Sequence, residues 1–154
     1  MEYASIEREI IVEAPPEVVY EVVSSPEHLR QWWSDEAELE PTAGAAGHLV
    51  FHRAAPELPL VVPLTVVDAQ PPRRFSFRWT YDVGVVPGPG NSMLVTFDLE
   101  SAGAGTRLTM TETGFRERGW AAAVLEDAYT EHRHGWDYFI PRLGAHLARL
   151  LASS

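Results

Sequence analysis

Residues Leu125–Leu151 read LEDAYTEHRHGWDYFIPRLGAHLARLL, and this stretch decides the fold. Its mostly apolar positions recur at alternating steps of about four and three, which places them on one face of an α-helix. They are Leu125, Tyr129, His132, Trp136, Phe139, Leu143, Leu147 and Leu150. One helix from Trp120 to Leu151 would be about 48 Å long at 1.5 Å per residue. We therefore expect a break or bend, at Gly135 or at Pro141, which lacks an N–H group for the helix ladder.

Upstream of this helix, runs of residues alternate between apolar and polar, as in strands that are half buried in a sheet. These runs are Ile6–Glu13, Asp35–Glu40, His48–Arg53, Leu60–Asp68, Phe75–Thr80, Met93–Leu99 and a last run that contains Leu108, Met110 and Glu112. Two short helical patches, at Val18–Val23 and Leu29–Trp33, follow the first run. The pattern predicts an α+β protein in which a curved antiparallel sheet of six to seven strands wraps around a long C-terminal helix, with two short helices between strands 1 and 2.

Length, charge and composition narrow the class of protein. The chain has 154 residues, which fits one domain, and it has no cysteine, which excludes thiol catalysis and disulfides. Its formal net charge of −10 disfavours nucleic acid and anionic membrane partners. We expect a cytoplasmic protein, because no apolar run reaches the roughly 18 residues of a membrane span and the N-terminus lacks the layout of a signal peptide. A homodimer is left open.

Four segments resemble those of a known family. They are EAPPEVVYEVVSSPEHLRQWW at Glu13–Trp33, VVDAQPPRRFSFRW at Val66–Trp79, TRLTMTETGF at Thr106–Phe115 and HGWDYFIPRLGAHL at His134–Leu147. In this order, and over nearly the whole chain, they are similar to the START-like helix-grip superfamily, also called SRPBCC. Within it they resemble the Aha-type family, named after the activator of the heat-shock-protein-90 ATPase. The family commonly shows a double glycine before the third strand, whereas this chain has the separated Gly44 and Gly47.

The resemblance implies that residues 1–154 form a single START-like domain with the helix-grip fold. The resemblance restricts the function less than it restricts the fold, because this fold serves lipid carriers, hormone receptors, polyketide cyclases and co-chaperones. The family contains many small bacterial proteins with no assigned activity, so a bacterial source is expected. An ATPase-activating co-chaperone is one alternative that the resemblance implies. That activity usually needs a second domain, so a chaperone partner is not expected.

Strand alternation and the helical stripe together predict an internal hydrophobic cavity between the sheet and the C-terminal helix. Such a cavity, mostly apolar with a few polar groups, is typical of sites for small molecules. The candidate ligand-binding residues are Trp33, Phe77, Trp79, Phe97, Met110, Glu112, Tyr129, His132 and Trp136. A core filled completely by these side chains is the alternative.

Glu112 and His132 are the candidate polar pair. A carboxylate in an apolar wall is expected to bind a cation, to pair with a base or to take up a proton, and a nearby imidazole serves each of these outcomes. The pair would allow acid–base chemistry of a cyclase, dehydratase or hydrolase. Alternatively, Glu112 reaches solvent or pairs with Arg8 or Arg107, and no residue is assigned as catalytic.

No cofactor or metal is expected. His48 and His52 would lie about 13 Å apart along one strand, which is too far for shared ligation. The sequence also lacks a G-x-S-x-G elbow and a phosphate-binding loop with its lysine. The first hypothesis is therefore a protein that binds a small apolar or aromatic molecule, and the second is an enzyme on the same scaffold.

Overall fold

A computed structural model of the chain describes residues 4–53, 57–82 and 84–153. The strands in these residues are β1 (Ser5–Val12), β2 (Glu36–Glu38), β3 (Ala46–Phe51), β4 (Leu60–Gln70), β5 (Arg74–Trp79), β6 (Met93–Ala102) and β7 (Gly105–Thr113). The helices are α1 (Pro16–Ser24), α2 (Pro26–Trp32) and α3 (Ala122–Ser153), and a 3-10 turn at Arg116–Arg118 precedes α3. The predicted α+β class and the two short helices between the first strands are confirmed.

Within the described residues, the seven strands form one antiparallel, curved sheet in the order β1-β7-β6-β5-β4-β3-β2. β1 and β2 therefore lie at opposite edges, although they follow each other in the sequence. The connection between them crosses the inner face: α1 contacts β5, β6 and β7, and α2 contacts β2 and α3. Pro16 and Pro26 occupy the first positions of α1 and α2, where a missing N–H group costs no helical hydrogen bond.

The alternation in the strands determines which side chains enter the core. In β7, the even-numbered residues Thr106, Leu108, Met110 and Glu112 are all buried. In β5, Phe75, Phe77 and Trp79 share the inner face, as the sequence indicated. The apolar residues among them, with Trp32, Leu143 and other buried residues, form one continuous hydrophobic core between the sheet and the helices. Glu112 is therefore a carboxylate in the inner wall of the sheet.

The expected break in the terminal helix is wrong. α3 is continuous over 32 residues and contains Pro141. The physical reason lies in where Pro141 sits. Asp137, whose carbonyl would accept the missing hydrogen bond, and Pro141 are both exposed, so the carbonyl left without its helical partner lies on the solvent side of α3. α3 therefore continues through Pro141 as one helix.

The two separated glycines have different structural reasons. Gly44 has a φ of 89°, which favours glycine in the turn before β3. At Gly47, a Cβ atom would collide with the backbone oxygen of Glu38, because β2 passes very close to β3 there. Gly44 therefore permits the turn before β3, and Gly47 permits the close approach of β2 to β3.

Candidate functional site

The centre of the site is the buried carboxylate of Glu112, which has no exposed surface. Trp79 donates its indole N–H to Oε2 over 2.8 Å. Oε1 accepts two more hydrogen bonds, from the indole N–H of Trp136 at 2.9 Å and from Nδ1 of His132 at 2.8 Å. Three donors thus satisfy a charge that would otherwise be very costly to bury.

The fold brings these donors together from two layers. Glu112 in β7 pairs across the sheet with Val95 in β6, and Val95 pairs with Phe77 in β5. Trp79 lies two residues beyond Phe77 on the same inner face, so its long side chain reaches Glu112. In α3, His132 and Trp136 are four residues apart and therefore lie one above the other on the face that meets the sheet. The hydrogen bonds to Glu112 join the sheet to α3.

The electrostatic state of His132 follows from this pairing. Burial by itself disfavours the charged imidazolium, but the hydrogen bond from Nδ1 to Glu112 and the negative charge of that carboxylate outweigh it. Glu131 adds to the effect and Arg118 opposes it, and the pKa of His132 lies above its ordinary value. The charged form of His132 is therefore favoured more strongly than in water, and it neutralises Glu112.

A partly open cleft of about 250 Å³ lies beside this cluster. Its walls come from α3, from the ends of β3, β4 and β5, and from the residue that follows α2. They consist of Trp33, Phe51, Leu60, Trp79, Tyr81, Glu131, His132, Gly135, Trp136 and Phe139. Most of this lining is aromatic, and Trp33 contacts both indoles that bind Glu112, with ring centroids 5.4 Å from Trp79 and 5.2 Å from Trp136.

Tyr81 is the second polar ring at the cleft. Its ring packs edge-on against His132, with centroids 5.8 Å apart. The residue leaves 42% of its surface exposed, yet its hydroxyl end is desolvated, and this effect together with the charges of Glu112 and Glu131 raises the pKa of Tyr81. The phenol is therefore a neutral hydrogen-bonding group at neutral pH.

The structure divides the sequence-predicted site residues into three groups. Trp33, Trp79, His132 and Trp136 line the cleft. Phe77, Phe97 and Met110 are buried in the core beneath it, with at most 2% exposure, and Glu112 lies behind His132. The hydroxyl of Tyr129 donates to the backbone oxygen of Ser5, and Tyr129 is not part of the cleft lining. That these nine residues bind a ligand stays a prediction.

Sequence reasoning missed Phe51, Leu60, Tyr81, Glu131, Gly135 and Phe139. Three of them had a signal, because Glu131, Gly135 and Phe139 follow the same helical spacing as His132 and Trp136. Phe51, Leu60 and Tyr81 had none, since strand alternation does not say how far a strand end extends beyond the helix. The mouth of a cleft is therefore harder to predict than its inner wall.

A larger groove, of about 420 Å³, lies between β1 and the C-terminal half of α3. Its walls are aliphatic apart from Glu13, and they include Gly144 and Leu147 but no aromatic ring. Because it lacks convergent polar groups, this groove is the weaker candidate for a small-molecule site despite its size. Among the described residues, no three His, Asp or Glu side chains come together as a metal site would require.

A curved antiparallel sheet closed by a long C-terminal helix, with a cleft between them, defines a helix-grip protein of the START-like class. None of the helices in the described residues has the length and apolar character needed to cross a bilayer. Residues 13–148 match the family described as Activator of Hsp90 ATPase homolog 1-like protein. The chain belongs to this family, which confirms the resemblance seen in the sequence.

Solved structures of similar proteins share the fold at low sequence identity. Protein MLL2253 from Mesorhizobium loti has a TM-score of 0.73 at 22% identity, over 94% of this chain and 97% of that one. SA2116 from Staphylococcus aureus, described as a protein of unknown function, has a TM-score of 0.75 at 14% identity, over 96% of this chain and 95% of that one. The Aha1 dimer from Colwellia psychrerythraea has a TM-score of 0.70 at 18% identity, over 93% of this chain and 95% of that one. Comparison with curated proteins gives no match.

Proposed function

We propose that this protein binds a small apolar or aromatic molecule in the cleft between α3 and the sheet. The observation that carries the proposal is the composition of the cleft wall, in which aromatic rings surround a few polar groups, among them the imidazole of His132. Sites for small molecules have this character. The cleft volume of about 250 Å³ lies just below the roughly 300 Å³ at which drug-sized pockets begin, which favours a ligand of one or two rings over a lipid.

Gly135 allows the cleft to be closed without disturbing the rest of the molecule. It lies in α3 on the cleft wall, and a Cβ atom at this position would meet no atom within 4 Å. Gly135→Leu would therefore place a branched side chain in the cleft. Gly144→Leu is the matched control, because Gly144 lies in the same helix, also has free space at Cβ and lines only the aliphatic groove.

The experiment measures the melting temperature against one- and two-ring aromatic compounds. A ligand that binds only the folded protein at 100 times its Kd stabilises by about 2.7 kcal/mol, which corresponds to a shift of roughly 5–10 °C at this size. We expect the shift in the wild type and in Gly144→Leu, and its loss in Gly135→Leu. Equal shifts in both variants would place binding outside the cleft, and no shift with any compound would refute the proposal.

A second candidate is acid–base catalysis at the same cleft, and one contact favours it. Glu112 holds Nδ1 of His132 at 2.8 Å, an arrangement in which a carboxylate orients an imidazole base. Exchange of the α-protons of an aryl methyl ketone in D2O, at a pD high enough for His132 to be neutral, tests this directly. The C–H bond breaks, Nε2 takes the proton, and the electron pair of that bond moves onto the carbonyl oxygen as an enolate. The enolate carbon then takes a deuteron from solvent, and His132 releases its proton to solvent. Exchange that is faster than in buffer and is lost in a folded His132→Gln variant supports an enzyme. Exchange at the buffer rate contradicts it.

Self-association is a separate proposal for this chain. The Colwellia psychrerythraea structure is of a dimer, and that statement concerns that protein. Sedimentation equilibrium distinguishes a 17.2 kDa monomer from a homodimer of twice that mass. A single species at the monomer mass over the whole concentration range contradicts a dimer.

A further inference from the structure

His132 is a polar group of the cleft wall that is available to a ligand. Its Nδ1 is bonded to Glu112, whereas its Nε2 has no hydrogen-bond partner among the residues that the structure describes. Glu112 occupies the Nδ1 side of the ring and His132 lines the cleft, so Nε2 is the ring nitrogen that is left for a ligand there. His132 is only 7% exposed, so Nε2 forms few contacts with water before a ligand arrives.

We propose that the cleft binds an aromatic molecule that carries a weakly acidic hydroxyl group, a phenol or an enol, with this hydroxyl hydrogen-bonded to Nε2 of His132. The proposal rests on the proposed function and specifies the chemical class of its ligand.

Glu112 makes a hydroxyl the best match. Because the carboxylate accepts from Nδ1–H, the neutral ring offers a lone pair at Nε2, and the protonated ring offers an N–H group there. A hydroxyl group donates to the first form and accepts from the second, so it pairs with His132 in both. An ether oxygen only accepts and so pairs with the protonated ring alone.

Charge around the cleft argues against a carboxylate as the ligand's polar group. Glu131 lies on the cleft wall, Glu112 is already next to His132, and the whole chain carries a net charge of −10. The charge of Arg118 also acts on His132, but Arg118 already lies 3.4 Å from Asp82. A neutral hydroxyl avoids the repulsion that a carboxylate would meet, and the hydroxyl of Tyr81 is a second hydrogen-bonding group at the same wall.

The aromatic part of the ligand follows from the rings on either side of His132. Trp33 and Trp136 lie side by side in the wall, tilted by 38° to each other, and Phe139 extends the wall toward Phe51. Such a surface favours a flat ring over a flexible chain, because planar rings gain from offset or edge-on packing. The volume of about 250 Å³ limits the ligand to one or two rings.

The test is isothermal titration calorimetry of the full chain with 2-naphthol, naphthalene and 2-naphthoate. These probes share one ring system and differ in the polar group. We expect 2-naphthol to bind on the order of tenfold more tightly than naphthalene, the equivalent of about 1.4 kcal/mol, and 2-naphthoate to bind more weakly than 2-naphthol. In His132→Leu the preference for 2-naphthol is lost and naphthalene still binds.

A second measurement covers the case in which His132→Leu fails to fold. In the wild-type protein, 2-naphthol is expected to shift the NMR signals of the His132 ring, whereas naphthalene shifts them less. If no probe binds, the proposed function fails, and the inference fails with it. If 2-naphthol and naphthalene bind equally, or if 2-naphthoate binds most tightly, the hydroxyl proposal is overturned while the cleft remains a binding site.

Discussion

Replacing Glu112 by Gln tests the buried cluster most directly, because the two side chains have nearly the same shape. The carboxylate offers two acceptor oxygens, whereas the amide offers one oxygen and one NH2 donor. If the amide oxygen takes the place of Oε1, the NH2 group faces the indole N–H of Trp79. In the opposite orientation it faces the indole N–H of Trp136. Either way, one buried indole donor loses its partner.

The expected loss of stability has two parts. A buried donor without a partner costs about 1–3 kcal/mol. The remaining hydrogen bonds also lose the charge of the acceptor, which is worth roughly 1 kcal/mol more because charge-assisted bonds are about twice as strong as neutral ones. We therefore expect Glu112→Gln to lower the free energy of unfolding by about 2–4 kcal/mol, and the melting temperature by about 4–16 °C at this chain length.

The assay is urea unfolding followed by far-UV circular dichroism, because the fluorescence of Trp79 and Trp136 would change with their hydrogen bonds alone. Glu100→Gln is the matched control. Glu100 is exposed in β6 and has a single ion pair, at 3.6 Å, with Arg107, so its replacement should cost less than about 1 kcal/mol. A loss of stability in Glu112→Gln no larger than in this control would refute the reasoning about the buried cluster.

The pH dependence of the same variant gives an independent check. The pKa of His132 is raised in the folded protein, so the pair contributes stability that is fully present below about pH 6.5, the unfolded value, and is lost as the pH rises through the folded value. The stability gap between wild type and Glu112→Gln should therefore narrow as the pH rises. In Glu112→Gln, burial is no longer outweighed by the carboxylate, and the charges of Glu131 and Arg118 act in opposite directions. The pKa of His132 should therefore fall below its ordinary value in an NMR titration.

Two further predictions concern α3. Gly135→Ala and Gly144→Ala should each raise the free energy of unfolding by up to about 1 kcal/mol, because both sites have room for a methyl group and glycine is a poor helix former. A loss of stability in urea unfolding would show that the space at Cβ is not free. Nε2 of His146 lies 3.0 Å from Nδ1 of His28, and burial, followed by the charges of His28 and Arg149, lowers the pKa of His146. Stability linked to His146 is therefore present above about pH 6.5 and is lost as the pH falls below it. His146→Phe should reduce the loss of stability between about pH 7 and pH 5. An unchanged dependence of the free energy of unfolding on pH would contradict this.

The fold could be predicted from the sequence because its determinants are local and periodic. The stripe from Leu125 to Leu150 and the alternation in β5 and β7 report directly on which side chains enter the core. The predicted break was wrong at Pro141, where the helix continues through a residue that usually ends one. Exposure of the freed carbonyl decides between a break and a tolerated proline, and exposure depends on tertiary packing.

The candidate site was only partly predictable, for a different reason. Alternation indicated that Glu112 faces inward, and helical spacing indicated the same for His132 and Trp136. Neither signal shows which buried donors share one acceptor. That the indole N–H groups of Trp79 and Trp136 both end on Glu112 depends on the distance between the sheet and α3, which the sequence does not encode in any local pattern.

The hydrogen bonds in the cluster point to His132, and not to Glu112, as the group that meets a ligand. A buried ion pair is often no more stabilising than apolar side chains of the same shape, so stability alone does not account for it. Replacing the four members together, as Trp79→Phe, Glu112→Leu, His132→Leu and Trp136→Phe, removes every buried donor along with its acceptor. We expect this variant to fold with a stability within about 2 kcal/mol of the wild type, because no group is left unpaired. By calorimetry it should bind naphthalene and 2-naphthol equally; a retained preference for 2-naphthol would show that some other group of the cleft recognises the hydroxyl.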